Sequence, residues 1–315
     1  MNILFAAPEN TWGGFLHILR GAMPQHQVDA TGKFEIDSLK GFDILIPTMS
    51  RVSREVLQTS DRLKLIQQCG VGLEGVDRDA ARELNIKVAN VPSGASGNAD
   101  SVAELGIYQM VGLARNFREM TRNLAERRVG SPLGGTLSGS KIGMVGMGGL
   151  ARALVKRLKS FDARLAGISR SNCAGLAPEL GLEWGGGPDS LKKLLQWSDY
   201  VVLCLPLSDE TRHLMNRETF GFMNQQAFLI NLSRGGLVDR DALEEALATG
   251  KIAGAGLDVF WEEPPDPNDP IFSYNVLATP HVGGTTHLSM EGIKRQVVEN
   301  ILRLESNQEL MYLHY

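Results

Sequence analysis

Cysteine is scarce. The chain has three, Cys69, Cys173 and Cys204, far apart and without CxxC spacing, in 315 residues. An odd, scattered set excludes a disulfide framework and a paired-cysteine zinc site, and fits a reducing compartment, the cytoplasm by default. Positive charge is not in excess either: Lys plus Arg number 32 against 36 for Asp plus Glu, a net charge of −4. Nucleic acid and anionic membrane surfaces are therefore not expected partners. Arg122, Arg127 and Arg128 form the one local basic group, and they follow a helical run, as a solvated helix end does. Long apolar runs are missing as well, so no bilayer-crossing segment is expected. The first basic residue is Arg20, so the opening stretch MNILFAAPENTWGG reads as a first β-strand and not as a signal peptide.

What is present is length and rhythm. The chain is long enough for two ordinary domains. Short apolar runs at Ile3–Ala7, Asp43–Pro47 and Leu63–Gln67 read as buried parallel strands, with helical patterns at Phe15–Ala22 and Ser53–Thr59 between them. Next comes ADSVAELGIYQMVGLARNF, apolar on nearly every face, which reads as a buried helix at a domain junction. Ser101 and Glu104 have the S-x-x-E spacing of a capping box at its start. A second series of strands is expected at Ile142–Gly146, Arg164–Ser169, Tyr200–Leu205, Phe228–Leu232, Ala255–Phe260 and Val276–Pro280. Helical patterns separate most of them, among them Leu150–Leu158 and Asp241–Thr249, the latter closed by Gly250. Gly185–Gly187 and Pro264–Pro270 read as loops. The result is an α/β protein with a doubly wound parallel-sheet (Rossmann) domain, and a helical tail from about Thr286 that could return to the first domain.

The segment KIGMVGMGGLAR places the G-x-G-x-x-G/A pattern on Gly146, Gly148 and Ala151. It follows an apolar strand and opens a helix. There a tight turn, a backbone close to a pyrophosphate, and free helix N–H groups together bind a dinucleotide. An acid about twenty residues on would bond the ribose 2′-hydroxyl of NAD. That place holds Ser169, Arg170 and Ser171 instead. A hydroxyl and a guanidinium suit a 2′-phosphate, so NADP(H) is expected in preference to NAD(H).

Three further segments, NLSRGGLVD, AGLDVFWEEP and TPHVGGT, each set one reactive side chain after an apolar strand: Arg234, Glu263 and His281. Reduction of a 2-oxo acid needs a planar cation for the carboxylate, which Arg supplies. It needs a proton donor for the carbonyl oxygen, which His supplies. A carboxylate beside that ring would orient it and favour its charged form. Singly, each residue has an ordinary structural role. The three in order behind a nucleotide loop do not.

With GVGLEGVD, SVAEL, VGMGGLAR, LPLSDETRHLMN, INLSRGGLVDRDALEEAL, AGAGLDVFWEEP and TPHVGG in sequence, the chain resembles the D-isomer-specific 2-hydroxyacid dehydrogenase family. With Ser169 and Arg170 in place of the usual acid, it resembles the NADPH-using glyoxylate and hydroxypyruvate reductase branch. The resemblance implies a Rossmann cofactor domain (residues 99–285) inserted into a smaller flavodoxin-like α/β substrate domain. The latter would be built from residues 1–98 and a returning helix in residues 286–315. It implies that Arg234 binds the substrate carboxylate and carbonyl, that His281 donates the proton with Glu263 as partner, and that the N–H groups of Val71 and Gly72 meet the carboxylate. Asp258 would bond the nicotinamide carboxamide and Ser101 would touch the cofactor. Gly149 and Leu150 extend the phosphate loop. Leu205, Pro206 and Thr211 follow on one strand end, Leu232 and Ser233 on the next, and Gly283 and Gly284 behind His281. A cleft between the domains that closes about hinges near Asn98 and Thr285, and a homodimer joined through the cofactor domain, are implied as well.

Some positions depart from the family pattern. Ala151 stands for the third glycine, and Cys204 for a more usual polar residue or His. The chain ends at Tyr315 with no regulatory extension expected. Glu263 argues against a formate-dehydrogenase-like member, where Gln fills that place. The pocket-lining candidates are Trp12, Met49, Leu73 and Trp261, each of which equally suits core packing. The alternatives are an NAD(P)-sensing corepressor-like protein on the same scaffold, and a dehydrogenase of another substrate such as phosphite. No metal is expected.

Overall fold

The structure, a computed structural model, describes residues 1–171 and 173–314. The first elements are β1 (Asn2–Phe5), α1 (Phe15–Ala22), β2 (Gln27–Ala30), β3 (Ile44–Ile46), α2 (Arg54–Gln58), β4 (Leu65–Gln67), α3 (Arg78–Glu83) and β5 (Lys87–Ala89). Then follow α4 (Asn98–Ala114), α5 (Phe117–Ala125), β6 (Lys141–Val145), α6 (Gly149–Leu158), β7 (Arg164–Ile168), α7 (Cys173–Leu180) and β8 (Trp184–Gly186). The rest are α8 (Leu191–Trp197), β9 (Tyr200–Leu203), α9 (Arg217–Phe222), β10 (Phe228–Asn231), α10 (Arg240–Ala248), β11 (Gly254–Leu257), β12 (Val276–Ala278) and α11 (His287–Glu305).

The chain divides into two compact units, Met1–Asn98 with Gly284–Tyr315, and Ala99–Gly283. The first holds a five-stranded sheet in the order β2-β1-β3-β4-β5, every pair parallel. That is the flavodoxin-like order. Side chains alternate across the sheet. Ile3, Phe5, Ile44 and Ile46 pack against α1 and against Ile293, Val297 and Ile301 of α11. Leu4, Leu45, Ile66 and Val88 pack with Leu57 of α2 and Ala80 of α3 on the other face.

The second unit holds seven parallel strands in the order β12-β11-β10-β9-β6-β7-β8, the doubly wound arrangement. The order reverses between β6 and β9, and there the first βα turn, Gly146–Gly149, lies beside the end of β9. Tyr200–Leu203 is buried at all four positions, as a strand covered on both faces requires. Asp77, Asn216 and Asp239 cap α3, α9 and α10 with their side chains, and Thr286 caps α11. Each such cap is worth about 1 kcal/mol.

Several expectations need correction. Gly185 and Gly186 are not in a loop: Trp184–Gly186 pairs with β7 as an edge strand, and only Gly187 lies beyond it. A Cβ on Gly185 would sit 2.4 Å from the Cys173 carbonyl, so the glycine marks close packing and not a turn. The helix after residue 97 begins at Asn98, three residues ahead of the expected cap, so Ser101 lies inside its first turn. Glu104 pairs with Arg157 of α6 at 3.0 Å instead of closing a capping box. The same helix is not buried all round, because Tyr108 and Val111 are exposed. Among the described residues no helix is long and apolar enough to cross a membrane. Tyr315 lies outside the described residues.

Candidate active site

The chemistry-bearing residues sit beyond the C-terminal ends of β10, β11 and β12, which run parallel and so open on one edge of the sheet. After β10 the chain turns sharply under the buried side chain of Asn231. Its Oδ1 accepts from Ser233 N at 3.2 Å, and its Nδ2 donates to Arg234 O at 2.9 Å. The Ser233 hydroxyl donates to Leu203 O at 2.8 Å and ties this turn to β9. Gly235 follows because nothing larger fits: a Cβ there would lie 2.0 Å from Phe260 O. The turn bearing Arg234 is thereby pressed against the loop bearing Glu263.

That loop is closed by Glu263 itself, whose Oε1 accepts from Phe260 N at 2.9 Å. Its other oxygen, Oε2, meets His281 Nδ1 at 2.6 Å. Burial alone would raise the Glu263 carboxyl. The hydrogen bond and charge of His281, the Phe260 N–H and the charge of Arg234 outweigh it and hold the group below its ordinary value. Glu263 is thus an ionised acceptor. His281 has φ +52°, in the left-handed region that a residue with a side chain adopts at a cost of about 1 kcal/mol or more. Trp261 is half-buried. Its indole N–H donates to Val238 O at 2.6 Å and its ring packs on the core.

Asp258, at the end of β11, is almost fully buried. Its Oδ1 accepts from Thr279 Oγ1 at 2.7 Å and Val282 N at 3.0 Å, and its Oδ2 from Gly283 N at 2.9 Å. Burial pushes its carboxyl up, and these donors oppose that shift in part.

At the phosphate loop, Gly146 has φ +96°, and a Cβ there would lie 2.6 Å from Cys204 O. It is therefore fixed as glycine twice over, by conformation and by space. Gly148, the N-cap of the ten-residue α6, is the opposite case: a Cβ there meets nothing within 4 Å. Gly149 opens the helix with Leu150, and Ala151 is buried against the sheet. An open cradle at a helix N-terminus, kept clear by glycine, fits a pyrophosphate.

The Ser169 hydroxyl donates to Ser171 O at 2.8 Å, so its hydrogen is spent on the local turn. Arg170 faces an acidic neighbour. The Ser208 hydroxyl chiefly, and the charge of Arg170 in smaller part, hold Glu210 below its ordinary value. Past β9, Thr211 Oγ1 donates to Pro206 O at 2.9 Å and closes the turn that begins at Leu205. Cys204 is buried and its thiol is pushed well up by that burial. Leu232 packs on α4 at Gly106. Ser101 is buried on α4.

Val71, Gly72 and Gly284 belong to the other unit. There the loop after β4 is pinned by Asn90, whose Nδ2 donates to Val71 O at 2.9 Å while its Oδ1 faces His314 Nε2 at 3.0 Å. Trp12 and Leu73 pack on the two cores of that unit, and Met49 is half-buried. Asn231, Thr279 and Asn90 are positioning groups that the sequence reading did not single out. Asn231 carried a signal, an Asn three residues before the Arg on a strand end.

The sequence model for the D-isomer specific 2-hydroxyacid dehydrogenase NAD binding domain matches residues 107–283. The chain belongs to the D-isomer-specific 2-hydroxyacid dehydrogenase family. Glyoxylate reductase of Pyrococcus horikoshii is 34% identical over 284 residues, covering 87% of this chain and 83% of that protein. D-3-phosphoglycerate dehydrogenase of Methanocaldococcus jannaschii is 35% identical over 272 residues, 85% of this chain, but the match spans only 51% of that longer protein. Among solved structures, the TT0316 protein of Thermus thermophilus superposes with a TM-score of 0.84 at 31% identity, covering 100% of both chains. As a family member the chain is an oxidoreductase with a nucleotide-binding Rossmann domain that acts on 2-oxo and 2-hydroxy acids.

Proposed function

We propose that this protein reduces a small 2-oxo acid of the glyoxylate or hydroxypyruvate kind to the D-2-hydroxy acid, with NADPH preferred to NADH. The observation that carries the reading is the His281–Glu263 pair at 2.6 Å, beside the charge of Arg234. The guanidinium of Arg234 holds the substrate carboxylate and polarises the carbonyl. With Nδ1 committed to Glu263, the proton given to the carbonyl oxygen comes from His281 Nε2. Glu263 stays ionised through the step and offsets the charge of the ring. Bound NAD(P)H supplies the hydride. Its phosphates are assigned to the N–H groups at Gly148–Leu150, with Leu205, Pro206, Thr211, Leu232, Ser233 and Ser101 along its length and Asp258, Gly283 and Gly284 toward the nicotinamide.

NADPH is preferred in this reading because no carboxylate follows β7. Arg170 and Ser171 supply the charge and the hydroxyl for a 2′-phosphate, and Glu210 tempers that preference. A homodimer is part of the proposal. Phe117, Met120 and Leu124 form an exposed apolar stripe on α5 at helical spacing, continued by Val129 and Leu133. A second copy is the proposed occupant of that stripe. The unbridged cysteines support the cytoplasm as location.

The test is oxidation of NADPH and NADH by the purified protein against glyoxylate, hydroxypyruvate, phenylpyruvate, pyruvate and 2-oxoglutarate. Faster turnover with NADPH on the two small acids is the expected result. Preference for NADH would overturn the cofactor assignment and leave the chemistry. Tight nucleotide binding without turnover on any acid would point to a sensor or to a substrate such as phosphite.

A further inference from the structure

Gln109, on α4, is fully buried, and the proposed reaction has no use for it. Its Nε2 donates to Thr279 Oγ1 at 3.2 Å, and Thr279 Oγ1 donates to Asp258 Oδ1 at 2.7 Å. The direction of this chain is forced. A threonine hydroxyl has one hydrogen, here given to Asp258, so toward Gln109 it can only accept. Gln109 must therefore turn its NH2 end to Thr279. The other end, Oε1, is then left buried without a hydrogen-bond partner among the described residues, beside Gly256 of β11. A Cβ on Gly256 would lie 2.8 Å from that oxygen, so the strand is cut back to make room for the amide. A buried acceptor left unsatisfied is costly, and its presence calls for an explanation.

The explanation lies at the far end of the chain. A carboxylate oxygen has two acceptor positions. On Asp258, Oδ1 is filled by Thr279 Oγ1 and Val282 N, whereas Oδ2 has only Gly283 N. We propose that Gln109 and Thr279 are positioning residues that lock the Asp258 carboxylate, so that the remaining position on Oδ2 accepts from the nicotinamide carboxamide. This rests on the reading of Asp258 as the carboxamide acceptor. Burial pushes the Asp258 carboxyl up, and the Thr279 hydroxyl leads the donors that oppose it, so the same hydroxyl helps keep the group an acceptor. Gln109 in turn fixes the hydroxyl rotor. The long helix α4 thereby sets one contact of the reacting ring through two side chains that touch neither substrate nor cofactor.

The test separates the nicotinamide half of the cofactor from the rest. Dissociation constants of the full-length protein are measured by calorimetry for NADP+ and for 2′-phospho-ADP-ribose, with NAD+ and ADP-ribose as a second pair. Thr279→Val should weaken dinucleotide binding about tenfold, and Gln109→Leu about threefold. Both should leave the nicotinamide-free ligands unchanged, and Thr279→Ser, which keeps the hydroxyl, should bind like the wild type. Asp258→Asn, which sets an NH2 at the Oδ2 position, should show the largest split between the two ligand classes. If Asp258→Asn shows the split but neither Thr279→Val nor Gln109→Leu does, the relay is overturned and the reading of Asp258 stands. If Asp258→Asn moves neither ligand, that reading falls and the relay with it. Loss of both ligands to the same degree in Thr279→Val and Gln109→Leu would mark a merely structural role and overturn the proposal.

Discussion

His281, Glu263 and Arg234 were legible because each stands alone as a reactive side chain just after an apolar run, on three consecutive strand ends. Their roles make distinct predictions. His281→Ala should cut turnover by about two to four orders of magnitude, the usual worth of a positioned proton donor, with little change in nucleotide affinity. Full turnover with the best acid would remove His281 from the chemistry. Glu263 makes a second prediction, on stability. Its folded carboxyl lies below the ordinary value, so it contributes stability above the unfolded value and loses it as the pH falls through the folded one. The wild type should therefore exceed Glu263→Gln in urea midpoint at pH 7. The gap should close as the pH drops below about 4.3, the ordinary Glu value. A gap independent of pH would mean that packing, not charge, holds the residue. The groups that hold this site were not legible. Thr279 bonds Asp258, 21 residues away and brought near by the sheet, so no local spacing announces it; Asn231, bonded to Arg234 three residues on, left only a faint trace.

At the scale of elements, two glycines of one motif should behave in opposite ways. Gly146→Ala puts a methyl group into the Cys204 carbonyl at a positive φ, and should lower the melting temperature sharply. Gly148→Ala meets nothing in the protein and should cost no more than about 1 kcal/mol as a poorer cap, yet weaken dinucleotide binding. Thermal melts and nucleotide titration of the two variants check this, and equal losses of stability would refute it. The same contrast explains what the sequence concealed. The overlooked strands β2, β5 and β8 each end the strand order of their sheet, and the outer side of β5 is met by the tail at the Ala89–Leu313 bridge. Gln27, Asp29 and Lys87 interrupt two of them, and the third is little more than Trp-Gly-Gly. Interior strands such as β3 and β9 are buried at every position and read as continuous apolar runs. The displaced capping box has a related cause. S-x-x-E also suits a helix interior whose Glu reaches a neighbouring Arg, as Glu104 reaches Arg157.

For the whole molecule, the bare stripe on α5 makes its own prediction. Leu124 is 80% exposed and Leu133 fully so, an unusual amount of apolar surface to leave in water. Leu124→Glu should convert a dimer to a monomer in sedimentation velocity, and a wild-type monomer at micromolar concentration would sink the assignment. The division into units has another consequence. The first core is assembled from both ends of the sequence: Ile293, Val297 and Ile301 close over Phe5, Leu16 and Leu19. All of Ala99–Gly283 is translated between the two pieces. At ordinary elongation rates the leading 98 residues wait on the ribosome for roughly 10–40 s with one face of their sheet covered by α1 alone. The intervening unit, continuous in the chain, can fold first. Nascent chains of this protein should therefore be clients of ribosome-associated chaperones from the moment β1 emerges until α11 does.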